Sequence, residues 1–212
     1  MPRAVVFDFN GTLSDDERIL CEIFIQLFAK HGKPLSAHEY FDELAGLPDP
    51  EIVRRWLGHD HPEVDAVIAE RVRRFRARVH DGSSIHEPVR EAVRYAAKRV
   101  PVAIVSGAVR AEIEPVVEAA GLAPLLTGIV SSDDVAEGKP DPEGYLRALE
   151  LFDGVRPEDV VVLEDTEAGV AAAKAAGMRV IAKAGTVDPR RLVQADELVE
   201  AIDAELMKRI LG

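Results

Sequence analysis

The sequence predicts an α/β protein, a doubly wound (Rossmann-like) parallel sheet carrying an inserted α-helical cap subdomain. Three observations carry that prediction. Short, continuous β-branched runs recur, which is the pattern of strands buried on both faces. Helical patterns alternate with those runs from Val100 onward, as in a parallel sheet with crossover helices. The first and second runs are separated by about ninety residues, far more than the dozen or so that a crossover needs.

The runs are Ala4 to Phe7, Val100 to Val105, Thr127 to Val130, Val160 to Leu163 and Arg179 to Ala182. Helices are expected at Glu87–Lys98, Arg110–Ala120, Pro142–Phe152 and Glu167–Ala176. Inside the long gap, helical patterns occupy Asp16–His31, Ala37–Ala45, Pro50–Trp56 and Glu63–Val79. These divide the chain into a core domain of residues 1–13 and 82–212 and an inserted helical cap of residues 14–81. The hinges are expected near Ser14 and near Gly82-Ser83-Ser84.

A chain of 212 residues buries on the order of 70% of its unfolded surface and can fold without a staple. Acids outnumber bases by 38 to 26, a formal charge of −12, which opposes binding to nucleic acid or to an anionic membrane surface. Cys21 is the only cysteine, so a cysteine-based zinc site is excluded and a reducing compartment fits. Only four apolar residues lie between Arg3 and Asp8, too few for a signal-peptide core. The expected location is cytoplasmic.

Ligands of open α/β sheets bind beyond the carboxyl ends of the strands. Asp8-Phe9-Asn10-Gly11-Thr12 follows the first run, Ser106-Gly107 the second, Gly138-Lys139-Pro140 the third and Glu164-Asp165 the fourth. Three carboxylates in one cleft resist joint ionisation unless cations join them. Mg2+ fits such a set, because it takes carboxylates together with phosphate oxygens and waters. Lys139, the Ser106 hydroxyl and turn amides then suit an anion, and Asp8 is placed to be a nucleophile.

These residues resemble the haloacid dehalogenase (HAD) superfamily of aspartate-nucleophile hydrolases. Asp8 to Thr12 matches its first motif, Asp-x-Asp-Gly-Thr/Val, at all but one position; Ser106, Lys139 and Glu164-Asp165 fit the other three. Ala168-Gly169-Val170 and Ala175-Ala176-Gly177-Met178 are similar to the branch holding phosphoglycolate phosphatases and β-phosphoglucomutases. The resemblance implies that Asp8 attacks phosphorus and ligates magnesium, and that Asn10 offers its backbone carbonyl to the metal. It implies that Gly11, Thr12, Ser106 and Gly107 hold the phosphoryl group, that Lys139 neutralises Asp8, and that Glu164 and Asp165 complete the metal site. The function so implied is a magnesium-dependent phosphatase of small phosphorylated metabolites.

The departure is Asn10, which stands where the family has its second aspartate. That residue protonates the leaving alcohol, and an amide cannot; loss of a general acid–base typically removes ~10²–10⁴ in rate. A catalytically impaired phospho-ligand binder is therefore the alternative. A sugar phosphomutase ranks lower, because Asp49 falls where such enzymes carry a cap-loop arginine for a second phosphate. Arg54 and Arg55, near that loop, are the candidate substrate contacts. The arginines at 71, 73, 74, 76 and 78 read as a solvated helix face, and His59-Asp60-His61 as a polar loop rather than a metal site.

Overall fold

The computed structural model describes residues 1–212. Six parallel strands form one sheet: β1 (Ala4–Phe7), β2 (Val102–Val105), β3 (Gly128–Val130), β4 (Val160–Glu164), β5 (Arg179–Lys183) and β6 (Glu197–Val199). Their spatial order is β3-β2-β1-β4-β5-β6, so β1 lies at the centre, with β2 on one side and β4 on the other. In register, Val5 faces Val102 across one ladder and Val161 across the other.

Both faces of the sheet are covered, as continuous apolar strands require. Val5 and Phe7 point into one buried cluster, whereas Ala4 and Val6 point into a second. The helices of the chain are α1 (Glu17–Lys30), α2 (Ala37–Glu39), α3 (Asp49–Leu57), α4 (Val64–Val79), α5 (Glu87–Ala97), α6 (Arg110–Ala119), α7 (Glu143–Glu150), α8 (Glu167–Ala175) and α9 (Ala204–Leu211). Helices α5, α6 and α9 supply the first cluster, and α7 and α8 the second.

Helices α1 to α4 form the long excursion between β1 and β2, which returns to the sheet through α5. The expected helix at Ala37–Ala45 is only one turn of α-helix, followed by a π-helical turn over Tyr40–Leu44. Ser36 caps it, in a reciprocal box with Glu39. The excursion has no core of its own. Phe24, Phe28, Tyr40 and Phe75 belong to the same buried cluster as Val5 and Ile113. Its two connections lie side by side, for the Ser14 hydroxyl donates to Ser84 Oγ at 2.7 Å and the Asp15 amide to the Ser84 carbonyl at 2.8 Å.

The C-terminal pair β6 and α9 is absent from the strand and helix pattern read above. Asp203 caps α9 by accepting from the Leu206 amide at 2.8 Å, and Leu206, Met207, Ile210 and Leu211 are its buried residues. That spacing is a helical signature. The edge strand β6 has only three residues, with Leu198 exposed, too little pattern to see. No helix is long and apolar enough to cross a membrane.

Candidate active site

Asp8, Ser106, Glu164 and Asp165 stand at the carboxyl ends of three adjacent strands, β1, β2 and β4. Lys139 reaches the same edge from the loop after β3. Its Nζ donates to Asp8 Oδ1 and to Glu164 Oε1, each at 2.6 Å, and to the Val105 carbonyl at 3.3 Å. Carboxylate oxygens of Asp8, Glu164 and Asp165 lie within 4.8 Å of one another, and all three residues are buried. With all three acids ionised, this group would carry two negative charges net of Lys139.

Each acid is held differently. Glu164 Oε1 also accepts from Tyr145 Oη at 3.1 Å, and Oε2 accepts from the Asp165 and Thr166 amides at 2.8 and 2.9 Å. Burial opposes its charge, but Lys139 and these amides outweigh burial and hold Glu164 below the usual carboxylate range. Asp165 accepts from Thr12 Oγ1 at 2.9 Å and from Thr186 Oγ1. Burial, with Asp8 and Glu164 close by, holds it well above the usual range. Burial likewise pushes Asp8 up to about 7, with Lys139 pulling against it and Glu164 adding to it. The Lys139 ammonium stays protonated: burial works against it, and the two acids win.

Two glycines make room for this packing. Gly11 has φ +75°, and a Cβ there would fall 1.9 Å from Asp165 Oδ2. A Cβ on Gly169 would fall 1.6 Å from Glu164 Oε1. The Gly11 turn is further clamped by Lys183, whose Nζ donates to the Gly11 carbonyl at 2.8 Å.

Asn10 lines the cleft beside Asp8, and its Nδ2 donates to both carboxylate oxygens of Asp16 at 3.2 Å. Asp16 is completely buried, which pushes its carboxyl up to about 8 against its bonds to Ser14 and Asn10. Ser106 and Gly107 also line the cleft; the Ser106 Oγ accepts from the Ala108 amide at 3.0 Å. Thr12 is buried behind the site, where it braces Asp165.

The cleft has a volume of about 400 Å³. Its far wall comes from the helical excursion and from α6. Arg54 and Arg55 are exposed on α3 and are not among the residues lining the cleft. The arginine that lines it is Arg71, 4% exposed, which pairs with Asp49 at 3.2 Å and with Glu112. The rest of its run behaves as a surface face, with Arg73 and Arg74 bonded to Glu70 and Arg78 to Glu22. His61 meets His31 and Glu63 rather than His59, the ligand atoms of the three lying within 4.8 Å of one another.

Several site residues carried no sequence signal. Thr186, Lys183 and Tyr145 sit on or beside elements whose patterns report only burial. Asp16 could have been noticed as an acid at the start of α1, but helix-start acids are common.

The family model for haloacid dehalogenase-like hydrolases matches residues 5–183. The chain is 30% identical to a validoxylamine A 7'-phosphate phosphatase of Streptomyces hygroscopicus subsp. limoneus, over 94% of each chain. It is 32% identical to a phosphorylated carbohydrates phosphatase of Thermotoga maritima, over 82% of each. Among solved structures, a mutant of CbbY from Rhodobacter sphaeroides in complex with xylulose-(1,5)bisphosphate superposes with a TM-score of 0.83 at 29% identity. That match covers 97% of this chain and 96% of the other. The match of the family model, spanning the sheet from β1 to β5 and every acid of the cleft, identifies the chain as a member of the haloacid dehalogenase-like hydrolase family.

Proposed function

We propose that the chain is a magnesium-dependent phosphatase of small phosphorylated metabolites, with Asp8 as the nucleophile and α1 to α4 as the cap over its cleft. The observation that carries this reading is the Lys139 ammonium bonded at 2.6 Å to both Asp8 and Glu164, the one cation inside a cluster of three buried acids that a divalent cation would let ionise together. Oxygen donors with that residual charge fit a hard divalent cation. Asp8, the Asn10 carbonyl and Asp165 would hold it, with Glu164 contributing charge. When bound, magnesium supplies a Lewis acid that draws charge from the phosphoryl oxygens.

Lys139 occupies Asp8 Oδ1, so attack on phosphorus falls to Oδ2. The new Asp8–phosphorus bond forms as the ester oxygen departs, and water then cleaves the acyl phosphate to return free Asp8. Ser106 and Gly107 help hold the phosphoryl group, Gly11 and Thr12 lie behind the cleft where the Thr12 hydroxyl fixes Asp165, and Lys139 offsets the charge that develops on the phosphoryl group. Asn10 supplies no proton, so departure of the ester oxygen depends on its own acidity. Relatives named as phosphatases of phosphorylated compounds support the reaction class. A buried, free Cys21 fits a cytoplasmic setting.

A second reading has one observation in its favour: the Asn10 amide is tied to Asp16, so the chain binds phosphorylated ligands and turns them over little. Phosphate release from a panel of sugar phosphates and an aryl phosphate, with magnesium or EDTA, separates the two. The phosphatase reading expects release that EDTA abolishes and a preference for the aryl phosphate. Thermal stabilisation by the same ligands without release would favour the binder.

A further inference from the structure

Arg71 holds an unusual position. It comes from α4 and is nearly inaccessible, yet it lines the cleft opposite Asp8. Its Nη1 is bonded to Glu112 of α6, and its Nε lies 3.2 Å from Asp49 Oδ2 at the start of α3. The Nε proton has no hydrogen-bond acceptor in good geometry, and it is the one buried side-chain nitrogen or oxygen left so. Beside it, Tyr40 donates its hydroxyl to Glu17 Oε1 at 2.7 Å. The far wall therefore holds three carboxylates, Glu17, Asp49 and Glu112, and a single cation already shared between two of them.

The remaining charged residues of the cleft point the same way. Lys139 and Arg71 are the only basic side chains lining it, and Lys139 is committed to Asp8 and Glu164. Glu137 and Asp141, at the side, are acidic. A second phosphate or a carboxylate on the substrate would meet this wall with no unshared cation to receive it. Hydroxyl and ammonium groups would meet carboxylate acceptors. Like charges brought together across an interface are strongly disfavoured.

We infer that Glu17, Asp49, Glu112 and Arg71 select the leaving group by charge, accepting a polyhydroxylated one that is neutral or carries an amine and rejecting one that carries a second anion. This rests on the phosphatase reading above, and it sets this chain apart from the CbbY structure, which contains a bisphosphate. The name of the carbohydrate phosphatase relative is consistent with it.

Four six-carbon esters test the inference: glucose 6-phosphate, glucosamine 6-phosphate, 6-phosphogluconate and fructose 1,6-bisphosphate. Phosphate release by the unaltered protein gives kcat/KM for each, and calorimetry with the same compounds gives Kd. The inference expects the first two to exceed the last two by about 100-fold in at least one of these readouts. Asp49→Asn, which frees Arg71 from one partner, should narrow that gap about tenfold, and Glu17→Gln should narrow it in the same direction. Equal or better use of 6-phosphogluconate or the bisphosphate overturns charge selection while leaving the phosphatase intact. Absence of release from all four and from an aryl phosphate, with the neutral and amino sugars still bound more tightly, sinks the phosphatase reading and keeps the charge selection. No binding preference in either readout overturns it.

Discussion

Two cations, one half-buried and one buried, each bridge a pair of carboxylates in this molecule, and their settings differ. Lys139 joins Asp8 to Glu164 at the ends of adjacent strands, where backbone amides and hydroxyls satisfy the acids from behind. Arg71 joins Asp49 to Glu112 across three helices, and its own Nε is left unmet. The first cluster sits on the sheet edge and, in the proposed function, faces the reacting phosphoryl group. The second ties the helical excursion to α6 and shapes the far end of the same cleft. The contrast is between an ion pair whose acids are fully satisfied by backbone and hydroxyl donors and one that holds helices together with a donor left unmet.

The sharpest break in that comparison is expected at Asp8. Asp8→Asn should lose all measurable phosphate release, because an amide is not the nucleophile that a carboxylate is. Asn10→Asp should act in the opposite direction and raise turnover of alkyl phosphates by ~10²–10⁴, the usual worth of a general acid–base. Stopped-assay phosphate release reads both. An unchanged rate in Asn10→Asp would show that the leaving oxygen already has a proton source.

Lys139→Ala should lower kcat by ~10²–10³, comparable to losing one preorganised donor to a transition-state oxyanion. Arg71→Ala should instead appear first in urea unfolding. It leaves Asp49 and Glu112 without their cation, and breaking a buried pair from one side costs about 3–5 kcal/mol. If Arg71→Ala unfolded like the parent, the bridge to Glu112 would not be holding the helical excursion to α6. At the small end, Arg73→Ala and Arg78→Ala should each move stability by less than about 1 kcal/mol, as exposed pairs do.

Legibility in the sequence followed the same division. Asp8, Ser106 and Glu164-Asp165 could be placed because each directly follows or ends a β-branched run, and a parallel sheet gathers such positions at one edge. Lys139 was legible through its short sequence Gly138-Lys139-Pro140 and the family it resembles. Arg71 was not. Its five-arginine run has the spacing of a solvated face, and three of those arginines do pair with surface acids. Only the crossing of α4 over α6, set by side-chain packing, carries Arg71 inward while leaving Arg54 and Arg55 outside. The helical excursion was visible as an excess of residues, and its two connections, near Ser14 and near Gly82-Ser83-Ser84, as small residues. That the two serines bond to one another was not. Edge strand β6 was missed because three residues with one exposed leucine hold too little pattern.

In the proposed reaction Asp8 carries the phosphoryl group during turnover. Acid quenching of the protein during reaction with magnesium and a reactive aryl or acyl phosphate, followed by peptide mass spectrometry, tests this directly. The account predicts the added mass of one phosphoryl group on the peptide containing Asp8, and none in Asp8→Asn. Phosphate release that persists in Asp8→Asn, or a phosphoryl group found only on another residue, would contradict it.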